Sequence, residues 1–332
     1  MIHRRQALIG TAALAALPAR AQGREVSISR QPGILYMPSH VIEKRRLLEK
    51  HTERLGLPGT TVKWLSFSGG GAQQDALLAG SVDIINTGTG QLLLLWDRTK
   101  GGVKGITATS AAPLVFVTRE TRVKTLADLQ PGDKIAVPTV KTSTQAILLQ
   151  MAAGKMFGLD QFARFDPMTV QMGHPDAYIA MRNAGHEVRN HFAAPPFQFY
   201  ALKNVPGARV VTTSTEIIGG PLSQAQFFTT TKFADANPKV VTALRSAAEE
   251  AREFIMNNTR DAVEIYREVT ADKTPTDELM ELLAQPGMME YGLAPQGTMV
   301  FAAHLNRIGT LRSMPASWKD YYLPEAHDLP GA

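Results

Sequence analysis

The stretch from Trp64 to Gly90, W-L-S-F-S-G-G-G-A-Q-Q-D-A-L-L-A-G-S-V-D-I-I-N-T-G-T-G, limits what this chain can fold into more than any other. A short alternating apolar segment (Val62, Trp64, Phe67) ends in Ser68 and three glycines. Ala72 to Ala79 is helix-forming, and Gly80 stands where a left-handed C-terminal cap belongs. Val82 to Ile85 then reads as a buried strand, closed by a second small, polar loop from Asn86 to Gly90. Strand, helix and strand in this order require a parallel pair whose strands end at one edge of a sheet. Glycines at that edge let a ligand approach bare backbone N–H groups at a helix start, where the aligned peptide dipoles favour negative charge. A tight strand-to-helix turn accounts for a glycine triplet equally well. The second small loop at the same edge is what favours a pocket.

The N-terminus carries an export address. His3-Arg4-Arg5 forms a positive segment, Gln6 to Leu17 a short apolar one, and Ala19-Arg20-Ala21 an A-x-A cleavage site. Residues 1–21 therefore read as a signal peptide, and the paired arginines also fit a twin-arginine signal. The mature chain is expected to begin near Gln22, outside the cytoplasm. Net charge is +5, and it falls to +2 without the leader's three arginines, Arg4, Arg5 and Arg20. No basic stripe is interleaved with aromatics, so nucleic acid is not an expected partner. The chain has no cysteine, which excludes disulfides, thiolate catalysis and Cys-ligated zinc.

Along the chain, Arg24 to Ser29 alternates as a first strand with Val26 and Ile28 inward. A helix is expected from Ser39 to Leu55 and another from Gln91 to Thr99, then strands at Ile106–Ala108 and Leu114–Thr118. The segment T-L-A-D-L-Q-P-G-D-K-I-A-V (Thr125–Val137) delivers a strand to Thr139–Thr144, which opens a helix stopped by Gly154. Thr142, Ser143 and Thr144 are good N-cap types. From Val170 the pattern of the opening stretch returns about 105 residues on: Pro175 at a helix start, Gly185 as its cap, a strand Glu187–His191 and a loop Ala193–Pro196. Two such units imply two similar α/β lobes. No low-complexity linker separates them, which points to Leu114–Thr118 and Gln224–Thr231 as hinges. The last third is helical, and its tail (Trp318, Tyr321, Tyr322) is expected to pack on a lobe before a loose terminus.

This ordered set resembles the nitrate/sulfonate/taurine family of periplasmic solute-binding proteins that feed ABC importers. The matching residues are Ser68–Ala72, D-A-L-L-A-G-S-V-D-I with the glycine loop behind it, Thr125–Val137, Gly158–Asp160 and Phe233–Pro238. The chain departs from the family at Gly185-His186-Glu187-Val188, where an aspartate is usual after the second glycine-capped helix. The resemblance implies a type II periplasmic binding protein fold: two lobes, each a mostly parallel sheet flanked by helices, with hinge strands between them. Lobe 1 is expected to comprise 22–113 with 224–332, and lobe 2 to comprise 114–223. It further implies a monomeric periplasmic receptor without catalysis or cofactor, whose partners are a small ligand and a membrane permease.

The expected ligand is a small organic anion of sulfonate type or an inorganic anion. A vitamin precursor, an aromatic acid, or an enzyme on the same fold remains as an alternative. For an anion, the first lobe offers Ser68, Gly70, Gly71, Gly88 and Thr89; the second offers Thr142, Ser143 and Thr144, with His191 at a strand edge. Arg30, beside Gln31 just past the first strand, is the candidate counter-charge, and a solvated loop arginine explains it about as well. Phe197, Phe199 and Tyr200 offer an aromatic wall or core packing. His186 and His191, five apart on a strand, point to opposite faces, which speaks against zinc held with His174. No H-E-x-x-H, G-x-S-x-G or P-loop pattern occurs.

Overall fold

Val26 and Ile28 are fully buried in β1 (Glu25–Arg30), the second strand of a five-stranded sheet. The computed structural model describes residues 24–67 and 69–332; the expected leader and Ser68 lie outside the described residues. After β1 come α1 (Met37–Arg45) and α2 (Leu47–Arg54). The single helix expected over 39–55 is split because Arg46 takes a left-handed conformation, φ 53°. The chain continues through β2 (Thr61–Ser66), α3 (Gly70–Leu78), β3 (Ile84–Thr87), α4 (Thr89–Arg98) and β4 (Val103–Ser110). Then come β5 (Val115–Thr118), β6 (Lys134–Val137), α5 (Thr144–Phe157), β7 (Thr169–Gln171) and α6 (His174–Arg182). Next are β8 (Val188–Ala193), α7 (Phe197–Asn204), β9 (Arg209–Thr213) and α8 (Ser214–Ile218). After β10 (Ala225–Thr230) the chain is helical: α9 (Thr231–Ala236), α10 (Pro238–Asn257), α11 (Thr259–Thr270), α12 (Thr276–Leu283) and α13 (Thr298–Arg307).

The two sheets repeat one plan. Their orders are β2-β1-β3-β10-β4 and β7-β6-β8-β5-β9. In each, four strands run in one direction and β10 or β5 runs antiparallel between the third strand and the far edge. Each sheet with its helices forms one lobe. Helices on both faces explain why β3 and β5 are buried at every residue rather than at alternate ones. The longest helix, α10, buries Val240, Val241, Leu244, Ala247, Ala248, Ala251 and Ile255, the one-sided spacing of an amphipathic helix. None of the described helices is long and apolar enough to cross a membrane.

Local departures from the sequence reading have physical causes. α5 continues through Gly154 to Phe157 and stops at Gly158, φ 99°. A glycine inside a helix costs about 1 kcal/mol, and here the packing of α5 against the 3-10 turns at Leu159–Met168 outweighs it. β7 and β9, absent from the sequence reading, are sheet-edge strands with half-exposed residues and no apolar alternation to announce them. The tail is anchored rather than loose: the Thr298 N–H and hydroxyl donate to the Ala332 carbonyl, and Tyr321 and Tyr322 are fully buried.

The expected hinge segments belong to single sheets. β5 lies wholly in the second and β10 wholly in the first, so the crossings are the short connections before them. The Ala111 N–H donates to the Glu290 carbonyl, and Ser223 and Gln296 exchange hydrogen bonds, which ties both crossings to the segment between α12 and α13.

Candidate ligand site between the lobes

Parallel strands place the starts of the following helices at one sheet edge, and the two edges face each other here. Four helix starts meet: α3 at Gly70, α4 at Thr89, α5 at Thr144 and α6 at His174. Gly69, Gly88 and Gly173, the N-caps of α3, α4 and α6, supply no capping side chain. Ser143 does cap, its hydroxyl accepting from the Ala146 N–H at 3.2 Å. Uncapped first-turn N–H groups with the helix dipole behind them suit an anion.

A cavity of about 20 Å³ lies among these starts. Its lining includes Gln31, Tyr36, Gly70, Thr87, Gly88 and Gln91 from the first lobe, and Ser143, Thr144, Gln145 and His174 from the second, with Leu114 and Gln224 at the crossings. No Asp, Glu, Lys or Arg is among its described lining residues. Gln224 Nε2 in the lining is a buried donor with no hydrogen-bond partner among the described residues. Burial pushes the Tyr36 hydroxyl well up, so it stays protonated; it accepts from Gln31 Nε2 at 2.8 Å. Burial pulls His174 down to about 4, so its ring is neutral near pH 7.

The lobes are closed over this cavity. The Gly71 N–H reaches Thr139 Oγ1 at 3.3 Å, the Gly90 N–H reaches Thr144 Oγ1 at 3.4 Å, and the Ile34 N–H donates to the Pro195 carbonyl at 3.1 Å. The glycines make this approach possible. A Cβ on Gly90 would stand 2.7 Å from Ile147 Cδ1 and 2.9 Å from the Thr142 carbonyl, and one on Gly88 would overlap Thr144 Oγ1. Gly70 differs, since its Cβ would meet Thr87 Oγ1 at 2.5 Å and Gln91 Nε2 at 2.8 Å within its own lobe.

Of the residues singled out from sequence, Gln31, Gly70, Gly88, Ser143 and Thr144 line the cavity. Gly71 and Thr142 border it at contacts between the lobes. Thr89 lies behind, donating to the Ser223 carbonyl and accepting from Gln226. His191 stands behind His174, with 2.8 Å between His174 Nδ1 and His191 Nε2. Arg30 is outside the cavity, in an ion pair with Glu43 and a 3.0 Å hydrogen bond to Ser66, beside a separate surface pocket of about 330 Å³. Phe197 stacks on His174, 5.8 Å between ring centres, and Tyr200 donates to Asp272. His186 precedes β8 and accepts from the Val188 N–H, so it is apart from the other two histidines. Among the described residues no group of three metal-ligating side chains occurs.

Tyr36, Thr87, Gln91, Gln145, His174 and Gln224 were not singled out as ligand contacts from sequence. Gln91, Gln145 and His174 each sit within the first turn of a helix whose start was legible, so the turn itself was their signal. Tyr36 and Gln224 reach the cavity only through the fold.

No family model matches the chain. A Brucella abortus protein described only as an inferred binding protein is 26% identical over 300 residues, 86% of this chain and 85% of that one. The alkanesulfonate-binding protein of Xanthomonas axonopodis pv. citri, solved bound to MOPS, superposes with a TM-score of 0.69 at 18% identity, over 88% of this chain and 96% of that one. The periplasmic nitrate-binding protein of Synechocystis PCC 6803 gives 0.66 at 16% identity, over 90% and 84%. The fold is that of the periplasmic binding proteins. Within that fold the chain resembles the sulfonate- and nitrate-binding members.

Proposed function

We propose that this protein is an extracytoplasmic receptor that captures a small anion, a sulfonate-like organic acid or an inorganic oxyanion, and delivers it to an ABC importer without transforming it. The observation that carries the reading is the convergence of four helix starts, three without a capping side chain, on one cavity whose described lining has no acidic residue. Several N–H dipoles aimed at one point substitute for a cationic side chain. The likeness to alkanesulfonate- and nitrate-binding proteins supports the same class of ligand.

Lobe 1 takes residues 22–113 and 224–332 and lobe 2 takes 114–223, the protein works as a monomer, and its leader directs it to the periplasm. A cavity of about 20 Å³ holds little more than one water molecule. Ligand entry therefore requires the lobes to part about the crossings before β5 and β10, and bound ligand favours a closed state with a larger cavity than this one. The test is a thermal-shift screen of the mature protein with short alkanesulfonates, nitrate, aromatic acids and pyrimidines. A sulfonate or nitrate should raise the melting temperature by binding only the folded state. Stabilisation by a neutral pyrimidine alone would overturn the anion reading.

A further inference from the structure

Two histidines lie ring to ring in the second lobe's half of the cleft. His174 opens α6 and lines the cavity, while His191 comes from the middle of β8. His174 Nδ1 is 2.8 Å from His191 Nε2, and His174 Nε2 is 3.2 Å from Gln145 Nε2. Both rings are buried, and His191 Nδ1 has no partner. A neutral pair has one hydrogen to share across the Nδ1–Nε2 contact. If His174 donates it, His174 Nε2 faces the cleft as an acceptor; if His191 donates it, His174 Nε2 carries hydrogen instead. One added proton removes the choice: His174 bears a positive charge and donates from both nitrogens, and Gln145 turns its amide to present Oε1 in place of Nε2.

We infer that the His174–His191 pair takes up one proton when an anion binds in the cleft, supplying the cation that the cavity lining lacks. This rests on the anion-receptor reading above. The proton comes from solvent and settles on His174. His191 is a positioning residue, accepting the His174 Nδ1 hydrogen so that Nε2–H stays on the cavity side, beside Gln145. No covalent bond forms or breaks.

The surroundings leave the pair free to respond. The titratable side chain facing the cavity from the first lobe is Tyr36, held protonated by burial. The charged groups on the packed elements are Asp176 and Arg182 on α6, Arg189 on β8, Lys203 on α7, Lys134 on β6, and Lys141 and Lys155 around and on α5. None of them hydrogen-bonds either ring, and all but the half-buried Lys134 are exposed. Burial alone depresses His174, and burial together with the neighbouring His174 depresses His191. An anion at the helix starts opposes that burial cost directly. His40 in the first lobe is the contrasting case: burial disfavours its charged form most, the Gln31 carbonyl it contacts opposes that, and the charge of nearby Arg30 adds to the burial effect.

Ethanesulfonate and nitrate are the probes, because both are anions of strong acids whose own charge is constant across the range. Calorimetry between pH 5.5 and 8.5, in cationic buffers of different ionisation enthalpy, counts the protons taken up. The expected result is uptake approaching one proton per anion, and affinity that tightens by up to about tenfold per pH unit as pH falls. His174→Gln and His191→Gln should each flatten that profile, which a loss of packing alone would not do. Binding with no proton uptake and no pH slope overturns the inference and leaves the receptor reading standing. Uptake that persists in both variants overturns it as well. Failure of both anions to bind at every pH overturns the inference together with the reading beneath it. The proton count is made on the unaltered protein, so a variant that fails to fold does not shelter it.

Discussion

The two lobes share a strand order and dress it differently where they meet. In the first, α3 and α4 start from glycines and show the cleft bare backbone. In the second, α5 starts from Ser143, which caps its own helix, and α6 starts from a histidine backed by a second histidine. The first lobe thus contributes two bare helix starts beside the neutral side chains of Gln31, Tyr36, Thr87 and Gln91, and the second contributes one bare start, one capped start and a histidine pair able to titrate. Topology sets where the helix starts lie; the residues placed on them decide what each half can respond to. A receptor built this way should be sensitive to pH in one half and to added side-chain volume in the other.

Acid should give the largest effect. His40 in the first lobe is held at about 3 and His174 in the second at about 4, both mainly by burial. These lie below the value of about 6.5 in an unfolded chain, so the unfolded state takes protons first as pH drops. The stability they contribute is complete above about pH 6.5 and is lost as pH falls through the window toward 4. For His174 the loss by pH 4 is on the order of 3 kcal/mol. Denaturant unfolding at pH 7 and pH 4.5 reads it, and His40→Gln and His174→Gln should each lessen the drop. Saturating ethanesulfonate should lessen it only where His174 is intact. A stability that stays level over this range would mean that the buried histidines are hydrated enough to charge freely.

Volume in the first lobe comes next. Gly90→Val sets side-chain atoms against the backbone of Thr142 and Thr144 across the cleft. The fold of its own lobe is little affected, because the position is helical and needs no left-handed conformation. The anion should bind about a hundredfold more weakly, about 2.7 kcal/mol. Gly80→Ala is the contrasting variant: Gly80 has φ +71° and open space around it. Losing that left-handed cap costs about 1 kcal/mol of stability and should leave affinity alone. Wild-type affinity in Gly90→Val would show that the lobes do not need to approach this closely.

How much of this was legible depends on what each residue depends on. The repeated unit, the glycine-capped α3 and the Ser143 region were readable because turn chemistry and helix caps are local. The equivalence of the lobes was readable from the order of elements, and β10 and β5 give it a structural counterpart by taking the same place in each sheet. From sequence Arg30 reads as a counter-charge or a solvated loop arginine just past the first strand; its partner Glu43 lies on α1, and only the fold brings them together. His174 and His191 were visible as residues, but their contact is tertiary. Gly70 and Gly88 were readable as bare positions. That they make room for Gln91 and Thr144 was not, because it depends on side chains arriving from elsewhere.

The smallest expected effect tests whether the second lobe's side chains serve the helix or the ligand. Ser143 lines the cavity and also accepts from the Ala146 N–H. Removing the hydroxyl leaves one first-turn donor free, the condition already found at α3 and α4. Ser143→Ala should cost about 1 kcal/mol of stability, and Ser143→Gly only a few tenths. For a chain of this size that is a fall of roughly 1–2 °C in melting temperature. Affinity for ethanesulfonate should weaken less than about threefold, below 1 kcal/mol, because the freed Ala146 N–H offers the anion a donor in place of the lost hydroxyl. A tenfold loss of affinity with stability intact would reverse the assignment. Ser143 would then be a direct ligand contact, and the second lobe would bind through side chains where the first binds through backbone.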